Sequence, residues 1–205
     1  MSTRLFIDDI LFYQRLLSCA GLYKGALNGK WSSAVDQADQ DFASNFNRIA
    51  AQFGAFDPRS EAAMRTLLPV TQELARQFLS RAKANMPNYS VRIISGTRTY
   101  AEQDQLYKKG RYGSSERKVT NARGGQRNHN FGIAWDVGIF KDGKYLTGDS
   151  KAEIKIYKDL AAVALSDDLE WGGDWTSFVD MPHYQRKLDV PLKQIREKFE
   201  AGRAF

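Results

Sequence analysis

The chain has 205 residues, 42% of them hydrophobic and 26% charged, and its 30 Lys and Arg against 24 Asp and Glu leave a formal charge of +6. These proportions exclude wholesale disorder and collagen-like repeats, and no apolar run approaches the roughly 20 residues that a membrane helix needs. Cys19 is the one cysteine, which excludes an internal disulfide and a thiolate-built metal site.

The opening stretch MSTRLFIDDILFYQ carries acids where a signal peptide keeps an unbroken apolar run. The expectation is a soluble chain made in the cytoplasm, which needs some other route if it works outside. The charge is uneven. Residues 1–69 carry seven basic and seven acidic side chains, while residues 70–205 carry 23 and 17. Such an excess raises encounter rates with anionic partners, and nucleic acid, anionic lipid and bacterial wall are all compatible with it.

Residues 1–69 read as a small helical unit. Ile10, Leu11, Leu16, Leu17 and Ala20 recur at helical spacing, with Asp8 and Asp9 suited to a first turn. Asn28-Gly29 signals a turn, and Ser32 or Ser33 can cap a second helix through Val35, Ala38, Phe42 and Phe46. Asp57-Pro58 supplies the cap and first-turn proline of a third helix through Ala62, Met64 and Leu67, which Pro69 is expected to close. This order, carried by Gly21-Leu22-Tyr23-Lys24-Gly25, Asn28-Gly29-Lys30-Trp31, Ala38 and Phe42, resembles a peptidoglycan-binding domain of the three-helix type. The plain alternative is a helical cap packed on the main domain.

From Val70 the pattern changes. A stripe of Leu74, Ala75, Phe78, Leu79 and Ala82 predicts a helix over 70–86. The β-branched run Val91-Arg92-Ile93-Ile94 before Ser95-Gly96 predicts a strand. A helix over about 101–109, a Gly-, Ser- and Arg-rich loop over 108–127, and a hairpin of 135–140 with 144–146 follow. A helix over 151–166, short strands at 169–171 and 183–185, and a helix over 190–202 complete the chain. The expected fold is α+β: a small antiparallel sheet flanked by helices in residues 70–205, preceded by the three-helix domain in 1–69.

The chain has two histidines, His129 and His183, and each has a carboxylate at short range. Catalytic zinc takes three protein ligands from His, Asp or Glu and leaves a fourth position open. The chain can supply that set once, as His129, Asp136 and His183. Asp180, three residues before His183, is placed to act on a metal-activated water. The His-Glu-x-x-His helix of thermolysin-type enzymes is absent from the sequence.

His129-x-x-Gly132-x-Ala134-x-Asp136, followed by Asp180-x-x-His183, resembles the M15 family of zinc peptidases. Leu169-Glu170-Trp171-Gly172-Gly173-Asp174-Trp175 and Met181-Pro182-His183-Tyr184-Gln185 are most similar to its L-alanyl-D-glutamate branch, which includes phage endolysins and bacterial wall hydrolases. The likeness spans roughly residues 70–186. It implies zinc on His129, Asp136 and His183, with Asp180 as general base and then general acid. It implies that Arg98, in Ser95-Gly96-Thr97-Arg98-Thr99, donates to the oxyanion, a role suited to a permanent charge with forked donors. Substrate contacts are implied for Arg127, Asn128, Trp171, Asp174 and Tyr184. Arg127 departs from the family, which usually has serine there, and this bears on substrate choice rather than on metal binding.

The loop from Lys108 to Arg127 holds seven basic residues and one acid, with no recognition helix or stacking sheet beside it, so nucleic acid is not an expected partner. It reads as a solvated loop or as a wall-facing rim. The tail from Arg186 to Arg203 suits transient contact with an anionic outer membrane, or packing against the catalytic domain. The expected function is cleavage of the L-Ala-D-Glu bond of the peptidoglycan stem peptide by a monomer that lyses the cell wall, reaching it by holin-type release, as a phage endolysin does, or by another export route. Three alternatives stay open: a D,D-carboxypeptidase or dipeptidase of the same family, a non-catalytic zinc-containing wall-binding module, and a secreted antibacterial effector with the same chemistry.

Overall fold

The computed structural model describes residues 7–205, so the first six residues of the 1–69 segment lie outside the described residues. The α+β architecture is as expected. Seven α-helices and one five-stranded, wholly antiparallel sheet occur among the described residues. By compactness the chain forms two units, one comprising residues up to Asn45 with Thr97–Gly132 and Leu188–Phe205, the other Phe46–Gly96 with Ile133–Lys187.

The second unit contains the sheet. Its strands are β1 (Ser90–Ser95), β2 (Ala134–Lys141), β3 (Lys144–Leu146), β4 (Leu169–Trp171) and β5 (His183–Arg186), in the order β1-β2-β5-β4, with β3 paired to β2. Successive strand residues face opposite sides, and that parity sorts the sequence into two sets. Trp135, Val137, Ile139, Leu169, Trp171 and Tyr184 are buried in the core. Asp136, His183, Gln185 and Glu170 occupy the alternate positions, in register with one another: Asp136 opposite His183, and Gln185 opposite Glu170.

Helix α4 (Pro69–Asn85) buries the predicted stripe of Leu74, Ala75, Phe78, Leu79 and Ala82. The Phe78 ring lies 4.5 Å from Tyr184 and 5.9 Å from Trp135. Pro69 does not close the helix before it. Helix α3 (Pro58–Met64) ends earlier, and Pro69 opens α4 at the first helical position, where its missing N–H costs nothing and its fixed φ is already helical. Asp57 caps α3 as the sequence predicts, accepting from Arg59 N and Ser60 N. Helix α6 (Lys151–Ala164) is capped at its start by Ser150 and at its end by the Arg81 guanidinium, which donates to Ala164 O from Nε and Nη2 at 2.9 and 2.7 Å.

Two contacts tie α3 to this unit. Ser60 Oγ accepts from Ile93 N of β1 at 2.8 Å, and the fully buried Arg76 makes a bidentate pair with Glu61 at 3.0 and 2.6 Å. Burial pushes the Glu61 carboxyl up, but the hydrogen bonds from Arg76 and from Phe56 N, with the Arg76 charge, outweigh it and hold the group below its ordinary value. With the folded value depressed, the pair stabilises the protein above the unfolded carboxylate range, and that stability is lost as pH falls through the folded value. Replacing Glu61 by Ala leaves the guanidinium buried and unpaired. The expected loss is about 3–5 kcal/mol in denaturant unfolding, and an unchanged midpoint would contradict this role.

The first unit contains α1 (Ile7–Cys19), most of α2 (Ser33–Phe53), α5 (Tyr100–Lys108), the short 3-10 turn Asn128–Phe131 and α7 (Leu192–Glu200). Leu17, Tyr23, Val35, Ala38 and Phe42 form one core. Gln14 holds the Asn-Gly turn, accepting from Asn28 N and Gly29 N at 2.9 Å each. A second aromatic cluster gathers elements distant in sequence: Phe12 lies 5.2 Å from Phe199, and Phe131 lies 5.3 Å from Phe199 and 6.4 Å from Tyr100. The compact units therefore do not follow a division at residue 69/70. Helix α3 joins the sheet through Ser60 and α4 through Glu61, whereas α1 joins α7 through Phe12 and the residues after α7 through Cys19, whose Sγ lies 3.4 Å from Arg203 O. Burial pushes the Cys19 thiol up to about 12, so it stays a protonated packing group.

In the tail, Ile195 and Phe199 are buried, and packing accounts for them. Among the described residues no helix is long and apolar enough to cross a membrane.

Candidate active site

The path from His129 to Asp136 is set by local geometry. His129 lies in the 3-10 turn that Arg127 opens, with Asn130 N donating to Arg127 O at 2.9 Å. Gly132 ends this turn at φ 70°, a left-handed conformation that favours glycine, and two residues later β2 begins. The spacing His129-x-x-Gly132-x-Ala134-x-Asp136 is thus one turn, one reversal and the first residues of a strand.

Asp136 pairs with His183 across β2 and β5 and with Ser95 of β1, beside a register shift between Ile93 and Ser95. Ligand atoms of His129, Asp136 and His183 all lie within 4.8 Å of one another, and both histidines are 2% exposed. His183 Nδ1 lies 3.3 Å from Asp136 Oδ1. Tetrahedral coordination at bond lengths of about 2.1 Å separates adjacent ligand atoms by about 3.4 Å. The donor types and their spacing therefore fit a small divalent cation.

Orientation strengthens this fit. His183 Nε2 lies 3.0 Å from Gln185 Oε1, and Gln185 Nε2 donates to Glu170 Oε2 at 2.7 Å. An amide oxygen only accepts, so Nε2 is the donor of this bond. Nδ1 then faces the Asp136 carboxylate oxygen. His183 Nδ1 and Asp136 Oδ1, 3.3 Å apart, are close enough to share a proton or a cation.

The Asp180–His183 turn lies against the corner after β4. Asp180 N donates to Gly172 O at 2.9 Å, and His183 N donates to Asp180 O at 3.1 Å. A Cβ on residue 172 would lie 2.6 Å from Asp180 O and 3.1 Å from His183 Cβ, so only glycine permits this approach. Trp175 adds a ring contact to His183 at 5.0 Å. The sequence reading assigned no role to Trp175, although it ends the Gly-Gly-Asp-Trp run.

Arg98 is held beside His129 through the backbone. Arg98 N donates to His129 O at 3.0 Å, and the buried Asn130 amide donates to Arg98 O at 2.9 Å while its oxygen accepts from Gly125 N at 3.0 Å. Asn130 is a structural organiser that the sequence reading missed, and its nearest signal was the preceding Gly124-Gly125 pair. Thr99 and Glu102 form a reciprocal capping box that starts α5 directly after Arg98.

Of the residues expected to touch substrate, Arg127 and Asn128 are half-buried beside His129, and Asp174 is exposed at the end of a short 3-10 turn, Gly172–Asp174. Trp171 and Tyr184 are placed differently. Tyr184 is fully buried, with burial pushing its hydroxyl well above the ordinary value, and Trp171 donates from Nε1 to Met181 O at 2.8 Å within the core. Strand parity explains the difference. With His183 on the polar face, Tyr184 must point to the other, so these two side chains pack into the core of the sheet. In the basic loop, Lys109 pairs with Glu116 at 2.7 Å, and the Arg111 and Arg123 guanidiniums lie 4.0 and 4.9 Å from the Tyr107 ring centroid.

Two histidines and an aspartate whose ligand atoms come together in this way could hold a single metal ion, the kind of centre a mononuclear metallopeptidase uses. The peptidase family described as D-alanyl-D-alanine carboxypeptidase matches residues 120–186, which contain His129, Asp136, Asp180 and His183. The peptidoglycan L-alanyl-D-glutamate endopeptidase CwlK of Bacillus subtilis (strain 168) is 33% identical over 129 residues, covering 58% of this chain and 76% of that protein. The L-Ala D-Glu endopeptidase ChiX of Serratia marcescens, a solved structure, aligns with a TM-score of 0.41 at 23% identity over 67% of this chain and 92% of its own. The chain belongs to the M15 peptidase family and is a metallopeptidase.

Proposed function

We propose that the enzyme hydrolyses the bond between L-alanine and D-glutamate in the peptidoglycan stem peptide, using zinc held by His129, Asp136 and His183. The observation that carries this reading is the His-Asp-His cluster, in a chain 33% identical to an L-alanyl-D-glutamate endopeptidase. Bound there, the ion supplies Lewis acidity that polarises the scissile carbonyl and acidifies water. Asp180 takes the proton from the attacking water and returns it to the departing amine of D-glutamate. Arg98 donates to the oxygen that becomes negative as the carbonyl turns tetrahedral.

The Gly21–Trp31 turn and its flanking helices are proposed to hold the glycan. The protein acts as a monomer that lyses the cell wall, as a phage endolysin does, after release through holin-type pores or by another route. A second reading, a D,D-carboxypeptidase, is favoured by the description of the family that matches residues 120–186. A synthetic stem pentapeptide separates the two, because it offers both bonds to one enzyme. Release of L-alanine supports the endopeptidase, and release of terminal D-alanine alone overturns it. Arg98→Ala is expected to lower kcat by about 100- to 1,000-fold, and unchanged turnover would remove Arg98 from the transition state.

A further inference from the structure

The polar face of the sheet continues beyond the metal ligands. Gln185 lies two residues after His183 on β5 and directly opposite Glu170 on β4, so all three side chains share one face. Gln185 is 9% exposed and spans its neighbours, with its Oε1 3.0 Å from His183 Nε2 and its Nε2 2.7 Å from Glu170 Oε2.

The chemistry of these groups gives the chain a direction. An ionised carboxylate only accepts hydrogen bonds, so the end of the amide facing Glu170 must be the NH2 group. The end facing His183 is then the carbonyl, and the ring nitrogen facing it must carry the proton. Each step fixes the next, and the last assigns Nε2 as the donor to Gln185 and turns Nδ1 toward Asp136.

We propose that Glu170 and Gln185 are positioning residues that lock His183 in its Nε2–H tautomer and present Nδ1, unprotonated, toward Asp136. The negative charge of Glu170, passed through the polarised amide, also makes Nδ1 a better donor to a cation. The Leu169-Glu170-Trp171 and His183-Tyr184-Gln185 segments thereby acquire a shared purpose, with Trp171 and Tyr184 filling the core while Glu170 and Gln185 aim the histidine. The proposal rests on the metal-site reading and is independent of which peptide bond is cut.

The test has two parts. In metal-free protein labelled with 15N, two histidines give two sets of ring signals. His183 is expected to show a protonated Nε2 and an unprotonated Nδ1, and a protonated Nδ1 in the neutral ring would overturn the proposal without any variant being made. Zinc affinity is then measured by chelator competition. Glu170→Gln, which removes the directional anchor, and Gln185→Leu are each expected to weaken zinc binding by about 10- to 100-fold.

The double variant Glu170→Gln with Gln185→Glu exchanges the groups. Its residue-185 carboxylate accepts from His183, and its residue-170 amide donates to that carboxylate. It is expected to recover affinity to within a few-fold of the original, which a merely structural role would not produce. Wild-type affinity in both single variants would overturn the relay, as would failure of the folded exchange variant to recover. Failure of the unaltered protein to bind zinc, with the Nε2–H tautomer in place, would instead overturn the metal-site reading.

Discussion

Replacing Asp180 by asparagine is expected to lower kcat by about 100- to 10,000-fold, the range for removing a general base. At 1.36 kcal/mol per tenfold this corresponds to about 2.7–5.4 kcal/mol of transition-state stabilisation. The substitution suits the site because the main chain of residue 180 already holds the turn in place: Asp180 N donates to Gly172 O and Asp180 O accepts from His183 N. Asparagine keeps both bonds and nearly the same volume, while losing the ability to take a proton at neutral pH. Metal content, measured by elemental analysis of the purified variant, is expected to stay at that of the unaltered protein. Near-normal turnover with the metal retained would remove Asp180 from the proton transfers.

Replacing Asp136 by alanine is expected to abolish measurable hydrolysis by a different route, through loss of the ion. Asp136 contributes the one negative charge among the three ligands, and its oxygen lies 3.3 Å from His183 Nδ1. Two neutral imidazoles remain, and affinity is expected to fall by more than the roughly 100-fold typical of losing an outer-shell partner. The fold is expected to tolerate the change, because the β2 ladder to β1 and β5 is made by the backbone and the Asp136 side chain is 18% exposed. The metal-free variant should therefore unfold at about the same denaturant concentration as metal-free protein without the substitution. Full metal content in the variant would contradict the assignment. The two substitutions separate the roles, since Asp180→Asn leaves a loaded but slow enzyme and Asp136→Ala leaves a folded but empty one.

The clustering of the candidate metal ligands was legible because the sequence offers so few candidates. Two histidines and one suitably spaced carboxylate complete one ligand set, and the structure brings those three together. The helices were legible where periodicity and caps agreed, as with the α4 stripe and the Asp57 cap. Pro69 shows a limit of local signals, because a proline that can end one helix can equally begin the next. The compact units were not legible, since Ser60 reaching Ile93 and Phe12 reaching Phe199 are contacts between residues far apart in the chain.

Trp171 and Tyr184 carry a sharper lesson. They sit inside the motifs that carry the family resemblance, and that resemblance implied contact with substrate. On a strand, the residue next to a ligand faces away from it. The alternation that buries Tyr184 was present in His183-Tyr184-Gln185, and it also placed Gln185 where it can act on His183. Asn130 and Trp175 were harder to find, because their roles depend on backbone and ring partners brought together by folding.

The most direct measurement is digestion of purified peptidoglycan by zinc-loaded protein, followed by mass spectrometry of the released peptides. Peptides that begin with D-glutamate, formed by the unaltered protein and absent from digests with the Asp136→Ala variant, are the expected result. Release of D-alanine alone, or equal product from the variant, would contradict the account.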